Sequence, residues 1–336
     1  MKKIILALFA ALMPLSSLAV GGYKAVAAGY RYVMVLKEDG ALWGWGYNSL
    51  GELGIGTEAP EEKPVKILDN VRRMACGNTY TMAVRNDGSL WCFGRMDGEF
   101  WWKKPGNLRI AEKGLKSGVR KVACGGDFCM VIADDGSLWG FGNTKNEFNY
   151  HSKGFEKVKK LKGVREVACG ADHTLALLDD GTLWAWGRNE DGQLGDGTTI
   201  PRKEPVKILS GVRGISCRDN LSMAILDDGT LMGWGSNKYG QVGDGTNRNS
   251  YRPVKVLSNV REVACGNMHA MAILNDGTLM GWGKNDNGQL GDGTTTNRSL
   301  PVKIYDGVRT VACGKELTIY ITLSGDLMTC GLLNAR

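Results

Sequence analysis

The sequence predicts an all-β fold, a seven-bladed β-propeller of four-stranded antiparallel blades. Three observations carry this: a segmental repeat returning every 45–48 residues, 48 glycines set at the ends of short apolar runs, and alternation of side chains within those runs. Glycine usage is about twice the roughly 7% average. With 8 prolines and no Gly-X-Y period, these glycines mark tight turns rather than a collagen helix. The 43% hydrophobic content is enough to build a core.

The repeat is fixed by a glycine two positions ahead of a Leu-Trp or Leu-Met pair. Gly40, Gly88, Gly136, Gly181, Gly229, Gly277 and Gly325 are separated by 48, 48, 45, 48, 48 and 48 residues. In the fourth unit the first strand is VREVACG (164–170) and the second is TLALLDDG (174–181). The closing Asp-Gly calls for a tight hairpin turn with positive φ. In the third strand, TLWAWG (182–187), Leu183, Ala185 and Gly187 point to one face and Trp184 and Trp186 to the other. A Gly-rich stretch leads to the fourth strand, PVKIL (205–209). Four strands in each unit, seven times over, with ordinary first and last units, favour a closed ring over a stacked solenoid, which needs polar caps. Residues 20–336 are therefore expected to form a single propeller domain.

The patterns V-x-x-V-A-C-G, x-x-H-T-L-A-L, D-G-T-L-W-A-W-G and G-Q-L-G-D-G-T followed by P-V-K resemble the regulator of chromosome condensation repeat family over residues 20–331. The resemblance implies a seven-bladed propeller, here in a secreted bacterial member. It implies little about activity, because members include a nuclear exchange factor for a small GTPase, a plant light sensor and a secreted bacterial inhibitor of β-lactamases.

The N-terminus has Lys2 and Lys3, an apolar run over residues 4–13, and small residues at Ser17 and Ala19. It reads as a cleaved secretory signal, residues 1–19, which makes the expected location secreted or periplasmic, with no transmembrane span after cleavage. An uncleaved anchor is the alternative, but the apolar run is short of the roughly 20 residues a span requires. The seventh unit stops at GLLNAR without an outer strand. Counting back from the first unit places the missing strand from Ser16 onward, across the cleavage site. Cleavage is therefore expected to leave the last blade three-stranded, with an edge able to pair with another chain.

GQLGDGT at 192–198 returns at 288–294, with near copies GQVGDGT at 240–246 and GELGIGT at 51–57. It has the composition of a phosphate cradle or calcium ligand set, but no Lys-Ser or Lys-Thr follows it. We read it as the turn between third and fourth strands, with glycines for positive φ and Asp196 and Thr198 bonding the loop's own backbone. Cys76, Cys124, Cys169, Cys217, Cys265 and Cys313 share one repeat position and are expected to be buried thiols, too far apart between blades for disulfides. Cys124 and Cys129 are the one local pair. Ligand spacing gives no metal site, and no cofactor is expected. His173 and His269 share a position otherwise held by Tyr32, Tyr80, Phe128, Leu221 and Leu317, which points to packing. Asp134-Asp135, Asp179-Asp180 and Asp227-Asp228 precede hairpin glycines and read as turn residues. No catalytic motif occurs.

The repeat breaks in blades two and three, where GRMDGEFWWKKPGNLRI and GNTKNEFNYHSKGFEKV have lost GQLGDGT. These loops bring Phe100, Trp101, Trp102, Lys103, Lys104, Phe148, Tyr150, His151 and Lys153 to one face, the usual make-up of an interface hot spot or sugar platform, the alternative being loops that have drifted, with aromatics covering the outer strands and lysines solvated. Residues 101–166 hold 14 Lys and Arg against 7 Asp and Glu, a surplus equal to the +7 of the whole chain. An acidic protein or glycan is the expected partner of a non-enzymatic binding module, and nucleic acid is not expected after export. The alternatives are a propeller hydrolase or lyase with an axial site, and guanine-nucleotide exchange, which only the resemblance implies.

Overall fold

The computed structural model describes residues 13–14, 22–95, 108–143 and 151–332. All regular structure among them is β-strand, arranged as seven four-stranded sheets. Blade four shows the plan: Val164–Cys169, His173–Leu178, Leu183–Gly187 and Arg202–Leu209, each strand antiparallel to the next. First strands line the axis and fourth strands form the rim, as the repeat predicts. No helix among the described residues is long and apolar enough to cross a membrane.

The alternation read from TLWAWG decides the packing. Leu183 and Ala185 join Leu175 and Leu177 on the side facing blade five, against Val212, Cys217, Ala224 and Trp234. Trp186 faces the other way, against Met130, Ile132 and Leu138 of blade three. Each blade thus buries both faces, so the core is a series of radial seams. The hairpin glycine predicted at 181 adopts φ 77°, and its carbonyl accepts the Val212 N–H at 2.9 Å, a tie to the next blade that Gly40, Gly88, Gly229 and Gly277 repeat.

Ring closure differs in detail from the sequence reading. Blade seven supplies Val308–Cys313, Leu317–Thr322 and Leu327–Gly331, and its outer position is taken by only two residues, Met13–Pro14. Met13 pairs with Thr329 and Pro14 with Met328, ahead of the expected start at Ser16. Both lie within the segment read as a secretory signal. Side chains close the ring as well: Tyr23, Val33, Val35 and Trp45 of blade one pack on Leu317, Ile319, Ile321 and Leu327 of blade seven.

Candidate functional site

Two places concentrate polar groups among the described residues: the connection from third to fourth strand, and the axis. In blade four the connection is organised by Asn189, which is fully buried. Its Oδ1 accepts the Leu194 N–H at 2.9 Å, and its Nδ2 donates to the carbonyls of Thr198 and Ile200 at 3.0 and 3.1 Å. Asp196 Oδ1 accepts from the Thr198 N–H at 2.9 Å, and its Oδ2 accepts from Arg202 Nε at 2.9 Å. Gly192, Gly195 and Gly197 have φ of 77°, 80° and 83°. The turn reading of GQLGDGT therefore holds, and the guanidinium of Arg202 stands where a bound cation would. Asn48, Asn237 and Asn285 repeat the arrangement. Blade one shows the aspartate to be dispensable, since Ile55 replaces it and Asn48 still holds the Thr57 and Ala59 carbonyls at 3.0 Å.

This loop also joins blades. The Gln193 carbonyl accepts from Trp234 Nε1 at 3.0 Å and from Ser222 Oγ at 2.7 Å, both in blade five. Gln241 and Trp282 repeat the bond at 2.9 Å between blades five and six. The loop is thus a staple from one blade to the next, to a tryptophan from blades four and five, to Thr81 from blade one and to Cys330 from blade six.

Of the nine residues proposed for partner binding, Phe100, Trp101, Trp102, Lys103, Lys104, Phe148 and Tyr150 lie outside the described residues. His151 and Lys153 do not lie in the irregular connection the sequence suggested. They belong to the fourth strand of blade three, His151–Lys157, with His151 in register with Asn143. The reason is the short connection: seven residues separate Asn143 from His151, against fourteen between Gly187 and Arg202. Part of the basic surplus also sits elsewhere. Lys116, Lys157, Lys159, Lys160 and Lys162 are exposed where fourth strands end, on the face opposite the large loops.

At the axis, blades two to six line a channel of about 230 Å³. All nine cysteines are free thiols, and Cys124 and Cys129 stand in register across a hairpin without being bonded. Burial pushes Cys76 and Cys265 up to about 12 and raises Cys124, Cys169, Cys217 and Cys313 as well, so these thiols stay protonated. The two aligned histidines latch seams: His173 Nε2 meets Ser222 Oγ at 2.8 Å, and His269 Nε2 meets Thr318 Oγ1 at 3.0 Å. Tyr32 and Tyr80 do the same through hydroxyls that donate to the carbonyls of Tyr80 and Phe128, each at 2.5 Å. Burial drives both histidines down to about 3, leaving them neutral. Asp135 and Asp180 accept the N–H groups of Ser137 and Thr182 at 2.9 Å, as turn residues do.

The axis holds a charged pair of neighbours that the sequence reading passed over, Arg218 and Asp219, of which Arg218 reaches across the channel. Its signal was available, because every other unit has glycine at that position: Gly29, Gly77, Gly125, Gly170, Gly266 and Gly314. Arg218 Nε donates to Asn267 Oδ1 at 3.0 Å and its Nη1 to the Ala28 carbonyl at 2.7 Å.

The family model for the RCC1-like domain matches residues 101–335. The chain belongs to the RCC1-like domain family. Models of the regulator of chromosome condensation (RCC1) repeat match residues 39–84 and 23–52 as well. Among solved structures, this RCC1-like ring superimposes on Prp20p from Saccharomyces cerevisiae with a TM-score of 0.78 at 21% identity, over 92% of this chain and 82% of that one. Human WBSCR16 gives 0.77 at 23% identity, over 92% and 86%. Among curated proteins, the ultraviolet-B receptor UVR8 of Arabidopsis thaliana is 34% identical over 53 residues, which is 16% of this chain and 12% of the receptor.

Proposed function

We propose that this chain is an exported, non-enzymatic binding module that holds an acidic protein or glycan through the loop face of blades two and three. The observation that carries the proposal is the loss of the staple loop in two of the six blades that have a third-to-fourth connection, within the sector holding the chain's whole net charge. A loop released from stapling its neighbour is free to carry aromatic and basic residues for recognition. The RCC1-like Prp20p is described together with its binding to Gsp1p and histones, a precedent for protein recognition by such a ring.

An axial enzyme is the weaker alternative. Burial holds the axial thiols protonated, and the two buried histidines are uncharged and bonded across seams. Exchange on a cytosolic GTPase is not favoured for a chain that, on this reading, is exported.

Affinity capture from the cell envelope and medium tests the proposal, comparing the native chain with a Trp101→Ala, Trp102→Ala variant. The variant is expected to lose its partner, and undiminished capture would refute the loop-face assignment. Intact mass tests export: a mature chain starting near Val20 is expected, and a secreted chain that keeps Met13 and Pro14 would overturn the cleavage.

A further inference from the structure

On the face opposite the large loops, the seam between blades two and three opens into a cavity of about 340 Å³, walled by Leu115, Val119, Val131, Ala133 and Trp139, with Asp135 at its exposed edge. That volume is at the small end of the range of about 300–1,000 Å³ typical of ligand sites.

Three local departures from the repeat converge on this seam. Ala133 ends the second strand of blade three, where every other blade has a longer side chain, which in blades one and two lies over the strand-three tryptophan. Lys37 Nζ lies 4.8 Å from the centre of the Trp43 ring, and Arg85 Cζ lies 4.0 Å from that of Trp91. Leu178, Leu226 and Leu274 hold the position in blades four, five and six. Alanine lays no long side chain over the Trp139 indole, which is half-buried and lines the cavity. The linker from blade two to blade three has three residues, 116–118, where blades one, four, five and six use two. Finally, the bulge residue that packs against the next blade is Ile67, Ile208, Val256 or Ile304 in those four blades, but blade two has Gly114.

The walls set the chemistry of an occupant. Trp139 Nε1 is spent on Ser137 Oγ at 2.8 Å, and the Ser137 hydroxyl donates to Asp135 Oδ1 at 2.6 Å. What remains is an indole face and branched aliphatic groups, which select an aromatic or branched apolar group by shape. Two exposed ammonium groups flank it: Lys116, between two wall residues, and Lys157, whose Nζ lies 5.7 Å from the Trp139 ring centre. Arg72, whose Nη2 donates to the Val119 carbonyl at 2.6 Å, adds a third cation against the carboxylates of Asp134 and Asp135, which leaves the surroundings net positive. We propose that this cavity is a binding site for an apolar ring or branched alkyl group carried by an anionic ligand, either a small organic acid or an acidic peptide. It is independent of the loop face and of whatever binds there.

Ligand-observed NMR and thermal shift on the full chain test this with indole-3-acetate, indole and tryptamine. Indole-3-acetate is expected to bind most tightly and tryptamine least. Ala133→Leu supplies the residue blades four to six already use, so it should fold with an equal or higher Tm and bind about tenfold more weakly. Should that variant misfold, Trp139→Met, the residue type at Met232 and Met280, removes the indole wall and should weaken binding comparably. A short acidic peptide bearing one tryptophan distinguishes the sources: tighter binding than indole-3-acetate points to a polypeptide, and weaker binding to a free acid. Unchanged affinity in both variants, or no saturable binding by the native chain at about 1 mM of any indole, overturns the site. Preference for tryptamine overturns the anionic ligand.

Discussion

Arg218 donates from Nη1 to the carbonyl of Ala28 at 2.7 Å, joining blade five to blade one although 190 residues separate them. A second contact, at 3.4 Å, reaches the Cys313 carbonyl of blade seven, so the guanidinium spans both sides of the closure. The neighbouring chemistry explains why only blade five can place a side chain there. A Cβ on Gly170 would sit 2.1 Å from His173 Cε1, and one on Gly77 would sit 2.2 Å from the Tyr80 ring. Blade five has Leu221 in place of the ring, which frees the position. Blade seven also lacks the ring, with Leu317, but there a Cβ on Gly314 would sit 2.7 Å from the Gly29 carbonyl, and glycine is kept.

Arg218→Gly restores the repeat and removes the cross-axis brace. Hydrogen bonds from a charged donor contribute about 1.5–3 kcal/mol when buried. Because Arg218 is only half-buried, the expected loss is about 2 kcal/mol, read as a lower urea midpoint at unchanged slope. Hydrogen exchange should rise in Tyr23–Ala28 and Val308–Cys313, and unaltered stability would refute the brace.

The buried histidines make stability fall in acid. For His173 and His269 the folded value of about 3 lies below the ordinary 6.5, so between those pH values the unfolded chain binds more protons. Their contribution is complete above about pH 6.5 and is lost as pH falls toward 3, on the order of a few kcal/mol in all. A His173→Leu, His269→Leu variant, using the residue of blades five and seven, should be weaker at pH 7 because Ser222 and Thr318 lose partners. Its stability should decline less steeply between pH 6.5 and 4, and an equally steep decline would show that other groups govern the acid limb.

Glu52 is a carboxylate in an amide's place. Its Oε2 accepts the Leu50 N–H at 2.9 Å, as Oε1 of Gln193, Gln241 and Gln289 accepts from Asp191, Tyr239 and Asn287. Burial raises it to about 6 from 4.5. With the folded value above the unfolded one, its contribution is complete below about pH 4.5 and is lost as pH rises through 6. Glu52→Gln should therefore stabilise the chain by about 1 kcal/mol at pH 7.5 and leave it unchanged at pH 4. Equal gains at both pH values would point to packing instead of ionisation.

The fold was legible because each blade repeats the same local rules. Alternation in TLWAWG placed Trp186 and Ala185 on opposite seams, and the Asp-Gly turns placed the hairpins. Contacts between units were not legible, because they join residues 29 to 49 apart by backbone carbonyls that carry no sequence mark, as with Gln193 and Trp234. The role of Asn189 was missed for a related reason: an asparagine ahead of a glycine-rich run looks like ordinary loop composition. His151 and Lys153 were placed in a connection because its shortening shows only once Asn143 and His151 are seen to pair. Arg218 was legible as the one break in a column of glycines, but only its length carries it across the axis.

Asn189 provides a test of the staple loop itself. With Asn189→Ala, the buried Leu194 N–H and the more exposed Thr198 and Ile200 carbonyls lose their partner, and an unsatisfied buried group costs about 1–3 kcal/mol. We expect a loss of about 3 kcal/mol, with Trp234 becoming more accessible to a fluorescence quencher as the Gln193 carbonyl shifts. Calcium should leave the Tm of the native chain unchanged, because Asp196 Oδ1 accepts from Asn189 and Thr198 and its Oδ2 from Arg202. A calcium-dependent rise in Tm that disappears in Asp196→Asn would establish a cation site and overturn the structural reading of the loop.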